Sequence, residues 1–252
     1  MSGRTPGRTS FAMLLAGLGL LAACSSDNKA PDSDEVFFDS ASGDEVAHAA
    51  LPVLNELPGG RWELMGEDSF STDTGKVDTQ ACAAVSGSLY TAWATPGEQR
   101  LARAQREFGH LDDPFSSLDV QVTIFNDTET PEAALEHRRA IFESGDFDTC
   151  FAESIEDTQQ NSGVSGGAQP PSELRKVDAQ IKVPSGGVSR AYDARINVEG
   201  MEVIVHFEIY EWRYGNAGVT VILAGDKDRI TEELVETTVD DIQDKLEAQA
   251  KN

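Results

Sequence analysis

Residues 188–209, VSRAYDARINVEGMEVIVHFEI, decide how the rest of the chain is read. Before Glu199-Gly200, apolar side chains recur at Val188, Tyr192, Ala194, Ile196 and Val198. After it they recur at Met201, Val203, Val205, Phe207 and Ile209. A period of two marks a strand with one buried face. With Glu199-Gly200 as a two-residue turn, Val198 faces Met201, Ile196 faces Val203, Ala194 faces Val205 and Tyr192 faces Phe207. The core face then matches pair by pair, and a slip of one residue would turn it to solvent. An antiparallel sheet is expected.

Working outward, Gly215-Asn216 reads as a second hairpin turn that returns the chain as a strand over 219–224. Ile230, Leu234, Val235, Val239, Ile242 and Leu246 follow at helical spacing, with acids on the other side. Upstream, LDVQVTIF at 118–125 alternates as a half-buried strand. Thr130-Pro131-Glu132 supplies a cap and first-turn proline for a helix burying Ala134, Leu135, Ile141 and Phe142, stopped by Gly145. Ser42 and Glu45 would cap a short helix bent at Pro52, Trp62, Leu64 and Met65 read as extended, and residues 79–94 as helical. Residues 96–109 fit two templates. Leu101, Ala104 and Phe108 suit a helix capped at Thr95, whereas Ala102, Ala104, Arg106 and Phe108 suit one face of a strand. Residues 159–172, QQNSGVSGGAQPPS, form a loop. The class is α+β, an antiparallel sheet with packed helices.

The start of the chain carries an address. Arg4 and Arg8 precede an apolar run over 11–21, and Ala22-Ala23 put small side chains ahead of Cys24. This is the layout of a secretory signal, and the run is too short to span a bilayer. Leu21-Ala22-Ala23-Cys24 matches the lipobox of bacterial lipoproteins. A signal peptide over 1–23, acyl chains such as palmitate on Cys24, and a mature chain anchored by them on the extracytoplasmic face of the cell membrane are therefore expected. The alternative is an ordinary secretory signal in which Cys24 is incidental. Residues 24–42 are Asp- and Ser-rich and are expected to be a lipidated, disordered tether. Residues 43–252 suffice for a single domain. Ser25 is not the aspartate that retains lipoproteins at an inner membrane.

Removal of 1–23 takes away Arg4 and Arg8 and no acid, so the formal net charge of −24 becomes −26. Phosphate backbones and anionic lipid surfaces repel such a chain, which argues against nucleic acid and leaves the anchor to hold it at the membrane. Two cysteines remain, Cys82 and Cys150. An even pair in an oxidising compartment is expected to be a disulfide, and neither cysteine has a Cys or His partner at zinc-finger spacing.

The order of elements resembles a known group, the extracellular sensor domain of actinobacterial serine/threonine kinases and lipoproteins carrying a similar domain, PsbP- or Mog1-like in shape. The matching marks are Leu57-Pro58 with Trp62, Cys82, Arg106-Glu107-Phe108, Phe147-Asp148-Thr149-Cys150 and Arg213-Tyr214-Gly215-Asn216, within residues 44–248. The resemblance implies helices packed on an antiparallel sheet, a Cys82–Cys150 bridge and a cleft that holds ligand. It also favours a strand at 101–109.

Few patterns point to catalysis. Gly163-Val164-Ser165-Gly166-Gly167 satisfies G-x-S-x-G but lacks the preceding strand and following helix of a nucleophile elbow. His48, His110, His137 and His206 show no H-E-x-x-H spacing, and no glycine-rich loop opens a helix, so no metal or cofactor is expected. His137-Arg138-Arg139, Arg100, Arg103 and Arg106 could receive an anionic head group or glycan phosphate, but such arginines more often pair with neighbouring acids. The hairpin register supplies the candidate site. Its outward face pairs Asp193 with His206, Arg195 with Ile204 and Asn197 with Glu202, and continues through Glu208, Tyr210 and Trp212. This charged-to-aromatic face suits a ligand groove or a merely solvated sheet. The expected function is a non-enzymatic ligand-binding or sensor-like module taking a small envelope ligand or a membrane protein partner. The alternatives are an envelope hydrolase using Asp193 and His206, and a structural lipoprotein that docks a membrane complex.

Overall fold

The structure, a computed structural model, describes residues 36–68, 99–161, 173–184, 186–198 and 201–251, together with Cys82, Val85 and Trp93. The signal peptide, Cys24, Ser165 and most of the helix expected over 79–94 lie outside the described residues. The elements run α1 (Gly43–Ala50), β1 (Trp62–Glu67), β2 (Arg100–His110), β3 (Asp113–Phe125), α2 (Glu129–Ser144), α3 (Asp146–Asn161), β4 (Glu173–Val177), β5 (Val188–Val198), β6 (Met201–Tyr214), β7 (Ala217–Gly225) and α4 (Glu232–Ala250). The strands form one seven-stranded sheet in the order β1-β2-β3-β7-β6-β5-β4. Every neighbouring pair is antiparallel.

The β5–β6 register is the one the sequence predicts, from Val198 opposite Met201 to Tyr192 opposite Phe207. The Glu199-Gly200 turn itself lies outside the described residues; at the next turn Tyr214 pairs with Ala217, and Gly215 takes φ +60° as the first of two turn residues, where a side chain is disfavoured. Residues 101–109 are strand, part of β2. Their alternation puts Ala104 and Phe108 into a core, while Arg103, Gln105 and Glu107 take the opposite face.

Two cores sit on opposite faces of the sheet. The first joins α1 (Val46, Ala47, Ala50) and α4 (Leu234, Val235, Val239, Ile242, Leu246) to Val120, Val122, Val219, Val221, Tyr210 and Trp212. The second joins α2 and α3 (Leu135, Phe142, Phe147, Phe151) to Tyr192, Ile209 and Val188. Each helix is placed by its apolar stripe and bounded by local chemistry. Thr231 accepts from the Leu234 N–H at 3.2 Å to begin α4. Gly145, at φ +80°, ends α2, and α3 starts at once. The expected cap at Thr130 is corrected: Thr130 lies inside α2, and its N–H is satisfied by Asp127 Oδ1 at 2.7 Å. The Cys82–Cys150 disulfide is present, bridging a sequence separation of 68 residues onto α3.

The boundary expected at Gly43 lies no later than Val36. Val36 and Phe38 are buried in the first core, and Asn216 clamps Phe38 through both backbone groups, accepting from its N–H at 2.8 Å and donating to its carbonyl at 2.9 Å. An aspartate- and serine-rich sequence hid two anchoring apolar residues, and residues 36–42 are not a disordered tether.

Candidate functional site

Pairing Asp193 with His206 across β5–β6 puts a carboxylate beside an imidazole, and the pleat adds Glu208 and Tyr210 on the same face. The side chains form an unbroken chain of hydrogen bonds that starts at an exposed arginine and runs inward. Arg175 on β4 donates to Asp193 Oδ2 at 2.5 Å, Asp193 Oδ1 lies 2.8 Å from His206 Nδ1, and His206 Nε2 lies 2.9 Å from Glu208 Oε1. The Tyr210 hydroxyl donates to Glu208 Oε2. His206 is 1% exposed, Glu208 and Tyr210 0%. This face, expected to be a groove or solvated, is instead covered. Gln180, in the strap after β4, donates its N–H to Glu208 Oε1 at 3.2 Å, and Trp212 lies under α4 with its indole N–H on Gln243 at 3.1 Å. Arg195 stands apart, half exposed, beside Glu173 and Glu202 at the sheet edge.

Electrostatics follows from this closure. Burial alone would lower the His206 pKa, but the hydrogen bonds to Glu208 and Asp193 outweigh it and the net shift is upward. Two carboxylates facing both ring nitrogens require both to donate, which is the imidazolium. Asp193 is held below its ordinary value because Arg175 and His206 overcome its burial. Tyr210 is pushed up by burial and by Glu208. The charges of Arg175, Asp193, His206 and Glu208 balance.

The expected arginine cluster separates. Arg138 is wholly buried and forms a bidentate pair with Glu211 at 2.6 and 2.9 Å, beneath the Phe142 and Phe147 rings. Arg106 pairs with Glu67 at 2.7 Å, and Arg139 donates to the Gly186 carbonyl at 2.9 Å.

A second polar arrangement escaped the sequence reading. On the sheet face opposite the first core, β2 contributes Arg103, Gln105 and Glu107, and β3 contributes Asp119, Gln121 and Thr123. Arg103 donates to Gln121 Oε1 at 2.7 Å, and Gln121 donates to Thr123 Oγ1 at 2.9 Å. Gln105, Gln121 and Thr123 are buried, Arg103 and Asp119 only partly so and Glu107 is exposed, so the strip reaches solvent on one side only. Asp119 stands directly opposite Glu107, and burial with that neighbouring charge pushes its carboxyl up to about 7. The available signal was the polar alternation on both strands, which needed 101–109 to be settled as strand. Trp93 bounds this face, packing on Phe125 and lying so close to Gly218 that a Cβ there would fall 2.6 Å from its ring.

Among the described residues no group of His, Cys, Asp and Glu is arranged to hold a metal ion, and no helix is long and apolar enough to cross a membrane. No family model matches the chain, and no curated protein matches it. Among solved structures, the extracellular domain of PknH from Mycobacterium tuberculosis is similar, with a TM-score of 0.46 and 12% identity, covering 81% of this chain and 96% of that chain.

Proposed function

We propose that this protein is an extracytoplasmic lipoprotein, anchored through Cys24, whose folded domain is a non-enzymatic binding module for a small envelope molecule. The address rests on the signal layout and lipobox, and a disulfide between Cys82 and Cys150 is the chemistry of an oxidising compartment. The observation that carries the binding reading is the contrast between two polar arrangements. His206, Glu208 and Tyr210 are buried and bonded to one another or to Asp193, whereas the strip on β2 and β3 reaches solvent at Arg103, Glu107 and Asp119 and contains a carboxylate, Asp119, that makes no ion pair among the described residues. Donors and acceptors converging on a partly open sheet face suit a polar ligand with a cationic or hydroxyl group near Asp119.

The hydrolase alternative needs a free imidazole lone pair at His206, and engagement of both nitrogens by carboxylates argues against it. Docking of a membrane protein is the second reading. It is favoured by Leu64, Met65, Leu111 and Phe115, which are 40–60% exposed at the β1 edge and the β2–β3 turn.

A paired purification tests the binding reading. Solvent extracts of the wild-type protein and of Gln121→Ala, both made in an actinobacterial host, are compared by mass spectrometry. A small molecule present in the first and depleted in the second is expected; identical extracts would remove the strip as the site.

A further inference from the structure

The strap of residues 178–184 and 186–187, between β4 and β5, is tied to the sheet through the His206 cluster. Gln180 is its anchor, with its N–H on Glu208 Oε1 at 3.2 Å and its side-chain amide on the Ile230 carbonyl at 2.7 Å. Ala179, Ile181 and Val183 pack partly buried against the first core, and Arg139 holds the far end at Gly186. Glu208 Oε1 receives both Gln180 N–H and His206 Nε2, the latter at 2.9 Å. One carboxylate oxygen therefore couples the strap to the imidazole.

We propose that Asp193, His206 and Glu208 form a pH-sensitive latch for this strap. It is closed while His206 carries two protons, and it releases Gln180 and Ile181 from the sheet when one is lost. The groups facing the ring come from every element around it. Asp193 on β5 and Glu208 on β6 bond its nitrogens, Arg175 on β4 and Lys227 after β7 act on Asp193, Tyr210 on β6 bonds the other oxygen of Glu208, and the strap presents the backbone of Gln180 and Ile181. A neutral imidazole keeps one N–H, so one carboxylate must then face a lone pair. Asp193 retains Arg175, and its side chain is 8% exposed. Glu208 is 0% exposed, so it is the charge left buried without its cation, and it regains water only if the strap lifts. Release therefore belongs on the alkaline side of the ordinary histidine range, in line with the upward shift of His206. Lifting the strap would uncover Tyr210 and the Ile230 end of the first core.

Hydrogen exchange of the full chain across pH tests the latch, with the His206 ring followed by NMR in parallel. After correction for base-catalysed exchange, opening at the Gln180 and Ile181 amides should rise by up to about tenfold per pH unit from the ordinary histidine value of about 6.5 to the His206 titration and level off above it, as loss of one proton requires. Val120 and Val221, central in the β3–β7 ladder, should show no such slope. In Glu208→Gln the slope should vanish, because an amide can face a neutral ring without stranding a charge. His206→Gln, with no titrating ring, should also give a flat profile. Flat protection at Gln180 and Ile181 through the wild-type titration would overturn the latch, and so would a slope that survives in either variant.

Discussion

At the scale of single residues, His206 and Asp119 are opposite cases of a buried charge. Glu208→Ala should destabilise the protein by about 3–5 kcal/mol in a denaturant titration near neutral pH, since it strips a buried imidazolium of one of two carboxylates. The sign of the pH effect follows from the raised His206 pKa. Its stabilisation is complete below the unfolded value of about 6.5 and is lost as pH rises through the higher folded value. Asp193 is lowered, so its contribution is present above about 3.9 and fades only as pH falls through its lower folded value. The cluster thus favours the folded state from acidic pH to above the ordinary histidine value. Asp119, raised to about 7 by burial and Glu107, strains the fold once ionised. Asp119→Asn should be more stable than wild type at pH 8, with the gain shrinking as pH falls from about 7 toward 4; a pH-independent difference in thermal midpoint would contradict this. The same substitution should weaken ligand retention by roughly tenfold or more, the loss of one charge-assisted hydrogen bond.

At the scale of elements, the second core is pinned by one buried pair. Arg138 from α2 meets Glu211 from β6 at 2.6 and 2.9 Å, both almost fully excluded from water. Arg138→Ala should cost about 3–5 kcal/mol, while replacing Arg138 and Glu211 together by Met and Leu should cost far less, because neither charge is then stranded. Equal losses in the two variants would show that packing rather than charge sets the cost. Elements also mark how far the sequence could be read. The β5–β6 register was legible because its core face alternates without a break, and Cys82–Cys150 followed from an even pair of cysteines behind a sequence that reads as a secretory signal. The short edge strand β4 was missed because ELRKV has no apolar alternation; it pairs in the sheet with β5 alone and packs Leu174 against the second core. Burial of Asp193, His206, Glu208, Tyr210 and Trp212 was also not legible. In an antiparallel hairpin the polar face ordinarily meets water. Here α4 covers Trp212 and the strap covers Glu208, and neither placement follows from strand periodicity. The strip on β2 and β3 was hidden by the helix-or-strand ambiguity at 96–109.

At the scale of the whole molecule, helices on both faces of one sheet create two cores, and the disulfide ties Cys82 to α3 across a separation of 68 residues. Closing a loop of that length contributes on the order of 4 kcal/mol by the chain-entropy estimate. Reduced protein should unfold at clearly lower denaturant, and thiol labelling of the denatured, unreduced mature chain should find neither Cys82 nor Cys150 free. Cys24→Ala should move the protein from the membrane fraction to the soluble one or leave an uncleaved precursor; retention with acylation would remove the lipobox. The most direct test of an anchored binding module is native mass spectrometry of the protein extracted in detergent from the membranes of an actinobacterial host. The account predicts a chain beginning at an acylated Cys24 and carrying a non-covalent small molecule that leaves on denaturation. An unlipidated chain with no adduct would contradict it.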